Sequence, residues 1–332
     1  MPRWLTVNRR NVVVLVAVSI HLGGANTTCT PSSFAHAIDR ARQAQTAAGP
    51  ATSLVIEHVA VIAANGSPML RDATIVIRDG RIAEIGGPGA ASSPSNAQRV
   101  DATGKFVIPG LWDMHVHLFN NFLDDGSNNH AYFFPLMVAN GIVGVRDMWT
   151  DAEDIAVARR WNEETESGRM VGPRVLVSSR VVDGDPPNGP HSLVVHNEVE
   201  GRQAVRTLKA AGSGFIKVYW FLNRESFFAI ADESKKQGIA FAGHVPFAVS
   251  AAEASDSGQR TIEHMTGILE ACSAKEDEWL KIDRKSSNPG RGAEMLRTYD
   301  DARCERLAHR FVKNGTWLVP TSINFIDPRE SI

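Results

Sequence analysis

The fold is decided by one stretch of the sequence, Phe106-Val107-Ile108-Pro109-Gly110-Leu111-Trp112-Asp113-Met114-His115-Val116-His117. It is an apolar, strand-like run that ends in two histidines two positions apart. Because side chains on a strand alternate between its two faces, the imidazoles of His115 and His117 point to the same side. Taken alone, His-x-His in a strand is a weak signal, since two partly exposed histidines without a partner give the same pattern. Whether His115 and His117 form part of a functional site therefore depends on which residues lie at the ends of the other predicted strands.

After Lys105 the sequence alternates apolar, strand-like runs with amphipathic, helix-like stretches. The predicted strands are residues 106–118, 141–148, 174–178, 215–220, 239–245, 261–265 and 317–323, and the predicted helices are 151–167, 200–211, 224–237 and 299–314. This alternation predicts βαβ units and a parallel sheet. A doubly wound sheet competes with a barrel, but no glycine-rich phosphate loop follows a strand in the sequence. Polar residues at the strand ends therefore favour a TIM-like (β/α)8 barrel.

Three more predicted strands carry a polar residue at or near their ends. Lys217 lies inside an otherwise apolar strand, while His244 and His264 each close one, at spacings of 27 and 20 residues that fit single βα repeats. Since catalytic groups in such barrels come from the C-terminal ends of several strands, we expect these residues to meet His115 and His117 in one pocket. The alternative is a set of structural histidines.

Lys217 is the most informative of these residues. Burial lowers the pKa of a lysine and favours its neutral amine. A neutral amine can react with carbon dioxide to give a carbamate, an anion that can bridge two cations. A lysine paired with a carboxylate elsewhere in the chain would be the simpler interpretation if the four histidines were absent.

The segment before the barrel, residues 38–105, is predicted to be a small β-sheet module. Short runs such as 54–56, 59–62, 73–78 and 81–85 are strand-like, and Asp79-Gly80 between two of them is a strong hairpin signal because glycine supplies the positive φ of a tight turn. Residues 87–99, rich in Gly, Ala, Pro and Ser, are predicted to be a loop.

Residues 1–37 are predicted to be an export signal. Basic residues, including the pair Arg9-Arg10, precede an apolar run over residues 12–22 that is too short to span a bilayer. Cleavage is expected near residue 25 or 37, which gives a periplasmic or secreted protein with no stable membrane span. A frayed tail or a single membrane anchor is the alternative. Cleavage at 37 would remove Cys29 and leave Cys272 and Cys304, which we expect to form a disulfide in an oxidising compartment.

The composition excludes several classes of protein. The chain has 332 residues with 35 Lys+Arg against 37 Asp+Glu, a net charge of −2 that argues against nucleic-acid binding. Its 43% hydrophobic content excludes a disordered chain. Three cysteines exclude both a disulfide scaffold and a four-thiolate zinc site. A globular enzyme or a large binding domain remains.

The stretch from Gly104 to His117 resembles the opening of the amidohydrolase superfamily. Residues 144–148 resemble its second strand, and residues 243–246 and 262–264 resemble the imidazolonepropionase-like branch, which includes metal-dependent Xaa-Pro dipeptidases. Deaminases of this superfamily place a glutamate three residues after the fifth-strand histidine, whereas this chain has Phe247 there, which argues against deamination.

The resemblance implies a ligand set and a reaction. His115 and His117 would hold one divalent metal ion and His244 and His264 the second, with carboxylated Lys217 bridging them. Zinc suits these ligands well, and manganese, cobalt and iron are the alternatives. Hydrolysis of an amide, a dipeptide or a cyclic amide through a metal-bridging hydroxide would follow. Tyr219 and, less strongly, His191 are candidate substrate contacts, the latter lying in a loop. The binding partner would be a small-molecule or dipeptide substrate. The chain could also form an oligomer.

One feature departs from the family pattern. The family places an aspartate at the end of the eighth strand, and nine residues follow the predicted strand 317–323, with Asp327 the sole aspartate among them. We therefore expect a barrel that lacks its last βα unit, in a chain truncated at its C-terminus. The alternatives to an active hydrolase are a catalytically impaired metal-binding remnant and a secreted binding protein.

Overall fold

The structure, a computed structural model, describes residues 53–88, 95–119, 130–189, 191–281 and 290–322. The predicted export signal 1–37, Cys29 and Asp327 lie outside these residues. The described residues fall into two compact units. Of the described residues, one unit contains 53–88, 95–112, 130–144 and 161–174, and the other contains 113–119, 145–160, 175–189, 191–281 and 290–322. None of the described helices combines the length and the apolar character that crossing a membrane requires.

Five short strands form the N-terminal sheet: β1 (Leu54–Val61), β2 (Leu70–Arg78), β3 (Arg81–Gly86), β4 (Gln98–Asp101) and β5 (Phe106–Val107). Their order is β3-β2-β1-β4, and β5 also pairs with β1. The predicted Asp79-Gly80 hairpin is present, with both residues at positive φ and Arg78 paired to Arg81. The predicted loop 87–99 extends two residues too far at its C-terminal end, because Gln98 and Arg99 already pair with β1.

The prediction of one continuous strand over residues 106–118 is wrong, because the structure has two separate strands there. β5 belongs to the N-terminal sheet, and β6 (Leu111–Val116) belongs to a second sheet. Pro109 lies between them and has no N–H to donate, so the ladder breaks there. Gly110 follows, and a Cβ at this position would lie 2.2 Å from Cγ2 of Val143. The backbone can therefore approach Val143 only without a side chain.

The remaining strands are β7 (Ile142–Asp147), β8 (Arg174–Val177), β9 (Val181–Asp183), β10 (Leu193–Val194), β11 (Ile216–Val218), β12 (Phe241–Gly243), β13 (Thr261–Glu263) and β14 (Trp317–Val319). A six-stranded sheet has the order β10-β9-β11-β12-β13-β14, with every neighbouring pair parallel. A second sheet contains β6, β7 and β8. The predicted α/β class and parallel sheet are confirmed. Within the described residues no strand pairing joins these two sheets, so barrel closure and a missing last unit stay predictions.

Nine described helices follow or connect these strands: α1 (His130–Ala139), α2 (Ala152–Glu166), α3 (Glu198–Ala210), α4 (Arg224–Gln237), α5 (Ala251–Asp256), α6 (Ile268–Ala271), α7 (Glu276–Trp279), α8 (Arg291–Arg297) and α9 (Asp301–Asn314). The four predicted helices correspond to α2, α3, α4 and α9. Their ends follow from capping: Asn223 accepts the N–H of Ser226 at the start of α4, and Gly238 closes that helix at φ 65°. The strands β9 and β10 and the helices α1, α5, α6, α7 and α8 were not predicted.

The apolar core of the second unit lies between its strands and α3, α4, α5 and α9. Val182 and Ile216 from the strands pack with Phe227 of α4, Ile262 of β13 and Phe311 of α9, and all five are buried. Burial of such side chains is the main force that holds βα units together. The strands beneath this core are only two to six residues long, so the residues that follow them leave strand geometry early.

The predicted disulfide between Cys272 and Cys304 is present, with the two Cα atoms 4.6 Å apart. It joins the end of α6 to α9, and the N–H of Asp300 donates to the carbonyl of Cys272 beside it, at 2.8 Å. The bridge therefore closes a loop of 32 residues around α7 and α8.

Replacing Cys304→Ser is expected to lower the free energy of unfolding by about 3–4 kcal/mol, the loop-closure value for a bridge of this span. Denaturant unfolding of the variant and of wild type, with and without reductant, measures it. Cys29→Ser is the matched control and should change nothing. Equal amounts of free thiol before and after reduction of wild type would contradict the bridge.

Glu253 is expected to make stability depend on pH. It closes the capping box of α5 with Ser250 and binds the guanidinium of Arg224 through both oxygens, and the hydrogen bonds from Arg224 lower its pKa to about 2. Because the folded-state pKa lies below the usual glutamate value of 4.5, this stabilisation is complete above pH 4.5 and disappears as the pH falls towards 2.

Glu253→Gln keeps the cap and removes the charge. It should therefore cost about 0.5–1 kcal/mol at pH 7, where the ion pair is half-exposed, and almost nothing near pH 2. Urea unfolding at several pH values measures the difference from wild type. Glu278→Gln, at an exposed position of α7, is the control. A difference that does not change with pH would exclude the ion pair as its cause.

Candidate metal centre

Four imidazoles from three strand ends form one cluster. His115 lies on β6 and His117 one residue beyond it, while His244 and His264 directly follow β12 and β13. The ring centroid of His115 is 5.2 Å from that of His117 and 4.4 Å from that of His264, and the rings of His244 and His264 are 5.0 Å apart. The structure thus brings together the four histidines that the sequence singled out, although they are up to 149 positions apart.

Two of these strand ends have special backbone geometry. Gly243 has φ 134°, and a Cβ there would lie 2.2 Å from the carbonyl oxygen of Val218 on the neighbouring strand. Only glycine therefore allows His244 to follow β12 at this depth. After β13, His264 and Met265 both have positive φ, at 55° and 58°, so the chain turns sharply as soon as the imidazole has been placed.

Lys217 is at the centre of β11 and is 1% exposed. Its Nζ lies 5.8 Å from the ring centroid of Tyr219, and its charge acts on all four histidines of the cluster. Burial lowers the pKa of Lys217 to about 7, against the attraction of Glu263. Near neutral pH, a large fraction of this lysine is therefore a neutral amine.

The histidines are neutral for the same reason. Burial, followed by repulsion from His115 and then from Lys217, lowers the pKa of His117 and of His264 to about 4. The pKa of His244 is lowered well below its usual value, and that of His115 is lowered as well. A neutral imidazole has a free nitrogen lone pair, which is the form that binds a metal ion.

Glu263, which the sequence analysis missed, fixes the tautomer of His115. This glutamate is fully buried, and its Oε2 lies 2.8 Å from Nδ1 of His115. Burial alone would raise its pKa, but the hydrogen bond with His115 and the charge of Arg146 lower it to about 2. The carboxylate therefore accepts, so Nδ1 of His115 carries the proton and Nε2 has the lone pair.

Arg146 holds this glutamate in place and was also missed. Its Nη2 donates to Oε1 of Glu263 at 2.7 Å, its Nη1 to Oγ1 of Thr261 at 3.0 Å and its Nε to the carbonyl of Met114 at 2.7 Å. The guanidinium also lies over the ring of Phe215, 5.3 Å from its centroid. One buried cation thus connects β6, β7 and β13 beneath the histidine cluster.

His244 and His264, which directly follow β12 and β13, differ in the hydrogen bonding of Nδ1. Nδ1 of His264 is 2.6 Å from Oγ1 of Thr321, whose single proton goes to the carbonyl of Pro320. His264 therefore donates from Nδ1 and keeps Nε2 as its lone pair. By contrast, Nδ1 of His244 is buried and has no hydrogen-bond partner within the part of the chain that the structure describes. An unpartnered buried nitrogen in this position fits a metal ligand.

These donors fit a pair of divalent cations. Among the described residues, no three His, Cys, Asp or Glu side chains already surround one ion position. The predicted ligand set does not require such a triad, because it assigns two histidines to each ion and shares Lys217 between them. Four neutral imidazoles around a buried, half-neutral amine are chemically suited to that arrangement.

The two predicted substrate contacts have different outcomes. The ring of Tyr219 lies 4.1 Å from that of His244, so the structure brings it to the cluster, and its hydroxyl accepts from Nδ2 of Asn188 at 3.4 Å. His191 is exposed, and within the described residues it makes no ring or hydrogen-bond contact with the four histidines. The loop position that made it the weaker candidate also keeps it away from them.

Two buried aspartates also shape the strand ends without belonging to the predicted set. Asp147 accepts the N–H of Leu118 at 2.6 Å and that of Trp149 at 3.1 Å, so it joins the segment after His117 to the end of β7. Burial raises its pKa to about 6. Asp183 accepts three backbone N–H groups in the loops after β9 and β11. The aspartate expected on an eighth strand has its sole candidate, Asp327, outside the described residues.

Comparison with known proteins gives sequence relatives that match in part. The chain is 39% identical to an imidazolonepropionase from Mycolicibacterium smegmatis over 87 residues, which cover 24% of this chain and 21% of that protein. It is 48% identical to an enamidase from Eubacterium barkeri over 52 residues, or 16% of this chain and 14% of the enamidase. The matched stretches thus span 21% and 14% of these two relatives, far less than two thirds of their length.

Solved structures match over a larger share. A Xaa-Pro dipeptidase with bound methionine in its active site has a TM-score of 0.56 at 21% identity, with 81% of this chain and 67% of that chain covered. An ochratoxinase from A. niger has a TM-score of 0.52 at 18% identity, with 82% and 77% covered. At this identity the likeness shows the fold alone, which is an α/β fold of the TIM-like barrel type.

The sequence profile described as the amidohydrolase family matches residues 106–328. That segment is more than half of the chain and includes all four clustered histidines and Lys217. The resemblance predicted from the motifs is therefore confirmed, and the chain belongs to the amidohydrolase family.

Proposed function

We propose that this chain forms the metal centre of a hydrolase that cleaves a carbon–nitrogen bond in an amide, a dipeptide or a cyclic amide. The observation that carries the proposal is the cluster of four neutral imidazoles beside buried Lys217, in a member of the amidohydrolase family. Relatives that support this chemistry by name are the enamidase, the dihydroorotases and the Xaa-Pro dipeptidase.

In this proposal His115 and His117 hold one divalent ion, His244 and His264 hold the second, and both ions share Lys217 as its carbamate. Zinc suits imidazole and carbamate ligands best. When bound, such ions polarise a substrate carbonyl and lower the pKa of water enough to supply hydroxide near neutral pH.

The chain's own residues prepare the site for this chemistry. Lys217 with its pKa near 7 presents a neutral amine, which adds to carbon dioxide and releases one proton to give the carbamate. Glu263 keeps the proton of His115 on Nδ1 and so aims Nε2 away from itself. The hydroxyl of Tyr219, beside His244, is available to donate a hydrogen bond to the substrate.

A metal-binding remnant without turnover is the second candidate. It shares the four clustered histidines and buried Lys217 with the hydrolase and differs from it only in turnover. Zinc bound at two ions per chain without hydrolysis of any amide would support this alternative over the hydrolase.

A location outside the cytoplasm, in the periplasm or secreted, is part of the proposal. The disulfide between Cys272 and Cys304 supports it, because such bridges persist in oxidising compartments. The basic and apolar start of the sequence supports it as well.

Lys217→Ala is expected to lower bound zinc from two ions per chain to one or fewer and to reduce amide hydrolysis at least 100-fold, because the shared ligand is lost. Metal analysis of protein loaded with zinc and bicarbonate measures the first effect. A panel of dipeptides and acyl-amides measures the second. Lys235→Ala, on the exposed face of α4, is the control.

Added acetate or propionate should partly restore zinc binding to Lys217→Ala, because a small carboxylate can take the position of the carbamate. Wild type labelled with ¹³C-bicarbonate should show one carbamate carbon signal that the variant lacks. Two zinc ions bound equally well by wild type and Lys217→Ala would exclude the lysine as a ligand.

Glu263→Gln is expected to weaken zinc binding about 10- to 100-fold, the usual cost of losing a carboxylate that orients a metal-binding histidine. Competition with a chromophoric chelator measures the zinc dissociation constant. Glu233→Gln is the matched control, since Glu233 is also buried and also binds an arginine, Arg206, but lies on α4. Both variants should lose stability, and only Glu263→Gln should lose zinc affinity. Equal zinc affinities would overturn the assigned role of Glu263.

A further inference from the structure

Five aromatic side chains lie beside the part of the histidine cluster formed by His244. We call them the aromatic wall: Trp149, Tyr219, Trp220, Phe221 and Phe247. The ring centroid of Tyr219 is 4.1 Å from that of His244 and the ring of Trp220 is 4.7 Å from it. Farther out, Trp220 stacks on Phe247 at 5.8 Å with an angle of 15° between the planes. The wall therefore begins at a candidate metal ligand and continues outward from it.

The wall belongs to three loops, which follow β7, β11 and β12. All five side chains are half-buried, so each keeps part of its surface accessible. Trp149 lies 6.2 Å from Tyr219, and Phe221 lies 5.5 Å from Phe247, between ring centroids. An aromatic surface of this extent is larger than packing around one histidine requires, and exposed apolar surface of this kind commonly marks a binding site.

The backbone beneath the wall is held by buried contacts. The carboxylate of Asp183 is fully buried and accepts the N–H groups of Gly184, Asn188 and Phe221 at 2.7–2.9 Å. The N–H of Phe247 donates to the carbonyl of Trp220 at 2.9 Å, which joins the loops after β11 and β12. These rings therefore stand on a preorganised support, as specific binding requires.

Two glycines allow this support to come close to the wall. A Cβ at Gly184 would lie 1.9 Å from the carbonyl oxygen of Phe221, and a Cβ at Gly189 would lie 2.3 Å from the indole of Trp149. Both positions thus exclude every other residue unless the loops move. The close approach fixes where the rings of Trp149 and Phe221 stand.

Two charged side chains near the wall, Arg224 and Asp183, already have partners. Arg224 reaches the carbonyl of Ala248, next to Phe247, but both of its Nη atoms bind Glu253. Asp183 is saturated by its three backbone donors, and Lys217 belongs to the metal centre. The wall therefore suits a neutral, apolar group better than a charged one. In addition, the indole nitrogens of Trp149 and Trp220 are buried and have no acceptor within the described residues, so a polar atom of a bound ligand would satisfy them.

We propose that the aromatic wall is a subsite for a flat, apolar ring, and that the substrate carries such a ring next to its scissile carbon–nitrogen bond. The proposal rests on the hydrolase function proposed above. Trp220 and Phe247 form the outer part of the subsite, where a ring would stack, and Tyr219 connects it to the metal centre. Offset stacking and edge contacts between rings provide the selectivity.

A matched pair of neutral amides tests this, because only one of them carries a ring. N-benzylacetamide and N-propylacetamide are both neutral but release amines of different basicity, so the change in their kcat/KM ratio between wild type and a wall variant, in which that difference cancels, reports on binding of the ring. Zinc-loaded wild type should prefer the benzyl amide by about tenfold or more. Trp220→Leu and Phe247→Leu, which keep apolar bulk but remove a ring, should each lower that preference about fivefold to tenfold, the ratio that one lost ring contact corresponds to.

Phe228→Leu is the control, since Phe228 is an aromatic residue of α4 that packs on Phe227 and lies under Arg224. It should leave the preference unchanged. Thermal unfolding of each variant identifies any that fails to fold, and the second wall variant then decides. Equal kcat/KM for the two amides in wild type, or an unchanged preference in both wall variants, would overturn the subsite.

Isothermal titration calorimetry separates failure of the subsite from failure of the hydrolase proposal. If neither amide is hydrolysed, the hydrolase proposal fails for these substrates, while tighter binding of N-benzylacetamide than of N-propylacetamide still supports the subsite. Loss of that difference in Trp220→Leu, with retention in Phe228→Leu, assigns it to the wall. Equal affinities for the two amides in wild type would overturn the subsite by a measurement that needs no turnover.

Discussion

The buried ion pair between Arg146 and Glu263 is the interaction on which the candidate site depends. Both charges are removed from water, and burial of either alone would cost several kcal/mol. Together they satisfy each other, and their remaining hydrogen-bonding atoms bind Thr261, Met114 and His115. Such a pair contributes little net stability compared with apolar packing, but it allows one arrangement of β6, β7 and β13. That arrangement sets the depth and the tautomer of His115.

The same dry environment explains why the other groups of the cluster are uncharged. Desolvation is the largest influence on the pKa values of Lys217, His117, His244 and His264, and their mutual repulsion adds to it. Glu263 remains ionised only because donors surround it. Four neutral imidazoles and a partly neutral lysine above one paired carboxylate present lone pairs that can bind cations, as expected for a member of the amidohydrolase family.

The sequence predicted the parts of this site that follow from local rules. Strand alternation placed His115 and His117 on one face, and βα spacing placed Lys217, His244 and His264 at successive strand ends. Arg146 and Glu263 were missed because they pair with each other across 117 positions and Glu263 binds His115 across 148, and no local pattern distinguishes a buried ion pair from a solvated charge. The extent of the first barrel strand was predicted wrongly because a single residue, Pro109, divides it. The helix α1 was missed because it contains Pro135 and has apolar residues on all sides, so it lacks helical periodicity. Of the wall only Tyr219 was predicted to contact the substrate, because the other four aromatic residues look like ordinary core residues of a strand.

Asp183, Gly184 and Gly189 hold the backbone of the loops in a way that does not depend on which side chains stand at positions 220 and 247. The carboxylate holds main-chain N–H groups, and Gly184 and Gly189 make room for main chain and indole, so none of these contacts uses the side chain of Trp220 or Phe247. Exchange of those two rings would alter which molecule is accommodated while the scaffold keeps its path. Substitutions at positions 220 and 247, in evolution or in a designed library, therefore change substrate selectivity with little cost to folding.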